Sequence, residues 1–199
     1  MFSSKTILAV IGAVGLVVPA AAQSSATRTT ATYQRVKSYL NSIPAIDTHD
    51  HLWPFDILPG YVETDRGVIQ IELAVLDAPL TVENFVTLAR AKFFNGLSVH
   101  RVVPGFVVQA GDPRGDGEGG PGYTIRDELN QRPFLRGTVG IALDWADTGG
   151  SQFFIAQSPQ PQLDAKYTVL GRVIAGMDVI DAIQRGDVIR DVRVWDGQN

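Results

Sequence analysis

Two histidines spaced two residues apart are the first side chains that could do chemistry. They lie in Asp47-Thr48-His49-Asp50-His51. On an extended strand alternate residues share a face, so Asp47, His49 and His51 would point the same way. That is sound geometry for ligands to one metal ion. The chain's remaining histidine, His100, precedes Arg101 in Val99-His100-Arg101-Val102-Val103-Pro104-Gly105-Phe106-Val107-Val108-Gln109. It is placed where a general base could be sought. A glycine-rich stretch, residues 115–122 (GDGEGGPG), would let the chain run close to a neighbouring surface. Cysteine is absent. That excludes a thiolate nucleophile, a cysteine-ligated zinc or iron–sulfur site and a disulfide scaffold.

These residues need elements to position them, and the chain is long enough to build one domain. It has 199 residues, 45% of them hydrophobic and 19% charged, with a net charge of −4. Such a chain can bury a full core without metal or disulfide help. No basic stripe stands out, so nucleic-acid binding is not expected. Residues 1–22 pair Lys5 with an apolar run from Ile7 to Val18, then Pro19 and Ala20-Ala21-Ala22. This is the pattern of a cleavable signal peptide, with cleavage expected after Ala22 and a periplasmic or secreted destination. No stable membrane span is expected after cleavage, because the apolar run is short. Residues 23–60 read as a polar, poorly ordered leader with a helical stretch expected over Tyr33–Leu40.

From Tyr61 onward the pattern is short strands, glycine-rich loops and two helical patches. Val68–Leu73 alternates, with Ile69, Ile71 and Leu73 on one face. Pro79 and Thr81 open a helix whose Val82, Phe85, Val86 and Ala89 share a side. Strands are expected at Ser98–Val103, Phe106–Ala110, Thr138–Leu143, Gln152–Ala156, Tyr167–Val173 and Val188–Trp195. A second helix is expected over Met177–Gln184, with Met177, Ile180 and Ile183 inward. Many short strands with frequent turn signals argue for an antiparallel barrel or sandwich. Alternation also separates Phe153 from Phe154, sending one to the core and the other to the opposite face.

Five segments carry a resemblance that periodicity alone could not provide. They are residues 64–73 (TDRGVIQIEL), 78–89 (APLTVENFVTLA), 99–123, 137–155 (GTVGIALDWADTGGSQFFI) and 162–183. Together they resemble the cyclophilin family of peptidyl-prolyl cis–trans isomerases, over a domain placed at residues 61–197. The resemblance implies a mainly β fold, a closed eight-stranded antiparallel β-barrel capped by two α-helices. It implies an exterior apolar groove and no metal or organic cofactor. Carried over by position, Arg101 and Gln109 are the expected catalytic residues. Phe106, Val107, Ala142, Leu143, Gln152, Phe154, Leu163 and Tyr167 are the expected substrate-binding residues. His100 then reads as structural, because rotation about a peptide bond needs no proton abstraction. The expected partners are unfolded or flexible proline-containing polypeptides, and a monomer is expected.

Several positions depart from the commonest family pattern. Val99, Ala110, Leu143, Asp144, Tyr167 and Leu170 replace more frequent residues. Leu143 and Asp144 bear on a backbone contact with substrate, and Leu170 on core or groove volume. Gln162 stands where animal forms often carry Trp, so weak cyclosporin binding is expected; nanomolar inhibition in a titration would contradict this. Two other functions follow from other features. One is a binding module that holds proline-containing segments with little turnover. The other is a metal hydrolase, because D-T-H-D-H resembles the first metal-binding strand of amidohydrolase-type enzymes. Those use a β/α barrel of about 250 residues, and the remaining length and ligands here cannot build it. Residues 23–60 therefore read as a fragment beside the main domain.

Overall fold

A computed structural model describes residues 58–195, together with Ala31, Gln34, Arg35 and Ser38, which are helical. The stretch expected to be a signal peptide (residues 1–22), Tyr33, Leu40, the Asp47–His51 motif and residues 196–197 lie outside the described residues. In chain order the elements are β1 (Leu58–Thr64), β2 (Gly67–Leu73), α1 (Pro79–Arg90), β3 (Arg101–Val103), β4 (Val107–Ala110) and β5 (Thr138–Ile141). They continue with β6 (Phe153–Ala156), a 3₁₀ turn (Pro161–Leu163), β7 (Val169–Ala175), α2 (Met177–Ala182) and β8 (Ile189–Val194).

The eight strands form one antiparallel sheet in the order β3-β4-β6-β5-β7-β2-β1-β8. The sheet curls but does not close, which corrects the expectation of a closed barrel. The reason lies at its edges. β3 is only three residues long, and no ladder joins it to β8. The segment just before β3 spans the gap instead, through the isolated bridge Ser98–Val188. Backbone N–H groups of Gly96 and Val99 donate to Ile189 and Asp187 there, both at 2.8 Å. β1 is an element that the sequence pattern hides. Pro59 and Gly60 fall at the end of the stretch read as leader, yet both lie in a strand paired on two sides. Proline has no N–H to give a ladder, but Pro59 still accepts from Trp195 N at 2.9 Å.

Alternation decides which side chains enter the core. Ile69, Ile71 and Leu73 are all within 1% of complete burial. Val82, Phe85, Val86 and Ala89 of α1 are buried against them, and Ile180 of α2 with Ile183 just beyond it join the same cluster. α1 lies against β8 and α2 against β2. Leu170 is wholly buried in this main core, so its departure from the family pattern concerns packing on the inner face.

Candidate active site

Strand pairing lays one row of residues across five strands. Arg101 on β3 opposes Gln109 on β4, Gln109 opposes Phe154 on β6, Phe154 opposes Gly140 on β5, and Gly140 opposes Val169 on β7. Directly opposed residues share a face, here the one turned away from the main core. Val107, two residues before Gln109, joins that face. The intervening residues Val108, Phe153, Ile155, Val139 and Ile141 belong to the main core. Phe153 packs edge-on to Phe85 and Phe94 at 5.9 and 5.8 Å between ring centroids.

The outer face carries its own apolar cluster. Val107, Phe134, Phe154 and Val169 are buried in it, and Phe106, Ala142, Leu163 and Tyr167 pack against it half-buried. Phe134 stacks on Phe154 at 5.6 Å and 18°, while Tyr167 meets Phe154 edge-on at 5.4 Å. The stack exists because residue 140 is glycine. A Cβ there would lie 2.6 Å from Phe154 Cζ and 2.8 Å from Phe134 Cε1. Above the cluster opens a hollow of about 340 Å³ lined by Arg101, Phe106, Val107, Gln109, Ala142, Leu143, Phe154, Leu163 and Tyr167.

One side of this hollow is polar and ordered. Arg101 donates from Nη1 to Gln109 Oε1 at 3.1 Å, and its Cζ lies 5.7 Å from the Phe106 ring centroid. Gln109 Nε2 donates to Gln152 Oε1 at 3.0 Å, and Gln152 Nε2 donates to the carbonyls of Gly117 and Gly119 at 2.7 and 2.9 Å. A guanidinium cannot accept, so the direction of every bond in this chain follows from its first member. Gln109 uses one of five guanidinium N–H groups, which leaves donors at the edge of an otherwise apolar hollow. Leu143 makes no intramolecular hydrogen bond among the described residues, so its N–H and C=O remain available to an extended ligand.

The glycine-rich loop behind Gln152 is held by Asp112, which is 1% exposed. Its carboxylate accepts from Arg114 N at 2.7 Å and Gly117 N at 2.5 Å. Burial pushes the Asp112 pKa up, but bonds from the backbone N–H groups of Arg114, Gly117, Gly115 and Gly119 outweigh it and hold the group below the usual carboxylate range. Gly119 fits only as glycine, because a Cβ would come within 1.9 Å of Asp112 Oδ1.

The family model described as "Cyclophilin type peptidyl-prolyl cis-trans isomerase/CLD" matches residues 61–197. The chain belongs to this family. It is 47% identical over 132 residues to peptidyl-prolyl cis-trans isomerase B of Bacillus subtilis (strain 168), covering 65% of this chain and 92% of that protein. It is 46% identical over 135 residues to a peptidyl-prolyl cis-trans isomerase of Helicobacter pylori (strain ATCC 700392 / 26695), covering 66% and 83%. A Cryptosporidium parvum cyclophilin type isomerase, crystallised in the presence of the dipeptide Ala-Pro, aligns with TM-score 0.65 and 28% identity, covering 69% of this chain and 98% of that one. The chain is a cyclophilin-type peptidyl-prolyl cis–trans isomerase.

In this isomerase the structure brings nine of the expected residues to one hollow. Gln152 stands apart. It lies behind Gln109 and lines a neighbouring hollow. Three residues that build the site went unmarked in the sequence: Phe134, Val169 and Gly140. Phe134 sits in a loop, reached through Asp164, which accepts from Phe134 N at 2.7 Å. A lone aromatic after a polar stretch was its only signal. Gln162 spends its amide on Gln160 Oε1 at 2.6 Å. His100 is buried. Among the described residues no group of three or more His, Asp or Glu could hold a metal ion, and no helix is long and apolar enough to cross a membrane.

Proposed function

We propose that the isomerase assists the folding of exported proteins by turning X–Pro bonds in flexible chains at the Arg101 hollow. An amide resists rotation by about 18–20 kcal/mol because of its partial double bond, and X–Pro isomerisation takes tens to hundreds of seconds unaided. As the bond twists, the proline nitrogen becomes pyramidal and gains a lone pair. Arg101 donates to that lone pair. The interaction exists in the twisted state and is missing in either planar state, so it lowers the barrier. Phe106, Val107, Phe154, Leu163 and Tyr167 hold the proline ring, and Gln109 keeps the guanidinium in place. Ala142 and the unpaired backbone at Leu143 hold the substrate chain.

A single observation carries this reading: a charged, oriented guanidinium stands at the rim of an aromatic hollow that contains no other cation. Replacing Arg101 by Ala should cost about 10²–10³-fold in kcat/KM on a short X–Pro peptide, the range for loss of one transition-state donor. A change below threefold, with the fold intact by circular dichroism, would remove Arg101 from the mechanism. The extracytoplasmic setting rests on residues 1–22. Expressed in a bacterial host, the exported chain should begin at Gln23 by mass spectrometry. An intact Met1 terminus confined to the cytoplasm would refute it.

A further inference from the structure

The turn that carries Phe106 to the hollow projects into solvent. Val103 O accepts from Phe106 N at 2.9 Å, with Pro104 and Gly105 between them and Gly105 at φ 71°. Proline first and a left-handed glycine second is the type II arrangement. Both residues are exposed, and a Cβ on Gly105 would meet no atom within 4 Å. Packing therefore does not fix this turn. Hydrogen bonds from the segment after β6 do. Gly105 N donates to Gln157 Oε1 at 3.0 Å, and Gly105 O accepts from Ser158 Oγ at 2.5 Å and from Gln160 Nε2 at 3.1 Å.

Gln160 is the centre of this set. It is 7% exposed and is not among the residues that line the hollow. A carbonyl can only accept, so the atom facing Gly105 O is Nε2, which also donates to Ser158 Oγ at 2.8 Å. Oε1 is then left to accept from Gln162 Nε2 at 2.6 Å. The backbone of Gln160 is used as well. Its N–H donates to Phe134 O at 2.7 Å, and its carbonyl accepts from Leu163 N at 2.9 Å. One buried residue thus ties together the Phe106 turn, the Phe134 floor and the Leu163 wall. An apolar side chain could fill the same space without the cost of burying an amide. What the amide adds is its hold on Gly105.

We infer that Gln160 is a positioning residue for the isomerase: its amide holds the Pro104–Gly105 turn, which keeps the Phe106 ring at the hollow and sets the affinity for the substrate's proline. The inference rests on the Arg101-hollow reading above. The Phe106 ring meets the proline ring in the planar and in the twisted states alike, so a misplaced ring weakens both equally. Loss of such uniform binding raises KM and leaves kcat unchanged.

The test measures kcat and KM on a short X–Pro peptide for the wild type, Gln160→Met, Phe106→Leu and the double variant, all well below their melting temperatures. Gln160→Met keeps the length of the side chain and removes the amide. It should raise KM about three- to tenfold, the equivalent of one hydrogen bond, with kcat within about twofold. In the Phe106→Leu background the same change should have a much smaller effect, because the ring it positions is gone. A loosening of the whole fold would instead lower the folded fraction, and with it kcat, equally in both backgrounds. An unchanged KM in Gln160→Met, or an equal rise in both backgrounds, would overturn the inference and leave the hollow standing. A KM unaffected by Phe106→Leu would sink the hollow reading and this inference with it. If Gln160→Met does not fold, Ser158→Ala takes its place, since it removes one of the two donors to Gly105 O. KM should then rise about two- to threefold with Phe106 present and stay level in Phe106→Leu; no rise would overturn the inference.

Discussion

His100 sits next to Arg101, is 9% exposed, and has no hydrogen-bond partner for either ring nitrogen among the described residues. Burial pushes its pKa below the ordinary histidine value. Asp112 and Asp116 oppose that shift, and Arg101 and Arg185 add to it. A depressed folded pKa means that the unfolded chain takes up the proton first. The stability due to neutral His100 is therefore complete above the unfolded value of about 6.5 and is lost as pH falls through the folded value. Wild-type stability should begin to decline below about pH 6.5, before ordinary carboxylates titrate. A His100→Leu variant, whatever its baseline, should lack that upper part of the slope. Matching profiles from urea melts at pH 7.5, 6.5 and 5.5 would show that His100 does not carry it.

Strands impose a strict division at the next scale. On β4, β5 and β6 the inward residues fill the main core and the outward ones build the Arg101 hollow and the cluster beneath it. The same four-residue strand β6 therefore supplies Phe153 to stability and Phe154 to the site. Gly140 is where the two demands meet, since Phe134 and Phe154 occupy the space a side chain would need. Gly140→Ala should destabilise by about 1–3 kcal/mol through overpacking. It should also raise KM for an X–Pro peptide, because the displaced Phe154 lines the hollow. A thermal melt and a KM both within error of wild type would mean that the aromatic stack yields without cost.

At the scale of the whole molecule, β1 is held in the sheet on both sides, by β2 and by β8. β1 starts at Leu58, three residues before the boundary that the sequence pattern suggests. Leu58 is 6% exposed within the main core, and Pro59 O receives Trp195 N. Before this strand, the described residues show a paired ion contact between Arg35 and Glu83 on the surface of α1. A chain that starts at Phe55 keeps every described contact of β1. One that starts at Tyr61 should lose about 1.5–3 kcal/mol, the worth of burying one leucine. Equal melting of the two trimmed chains would show that Leu58–Gly60 add nothing to the fold.

Read from the chain alone, the sequence determined the local periodicities and which residues gather at one hollow. Ile69, Ile71 and Leu73, and Val82, Phe85, Val86 and Ala89, face inward because strand and helix periods are local properties of the chain. The long motifs around Arg101 and Phe154 named residues that do share a hollow, because such motifs hold side-chain type and spacing together. Tertiary structure decided the rest. Phe134 and Val169 reach the cluster beneath the hollow from a loop and a strand whose neighbours are remote in sequence. The sheet stays open because its edges meet through one bridge, a matter of strand length and curvature that no window of residues encodes. Gly105 and Gln160 lie 55 residues apart and meet only after β4 and β6 have paired. Each of these outcomes is set by a long-range contact, and those contacts exist only once the chain has folded.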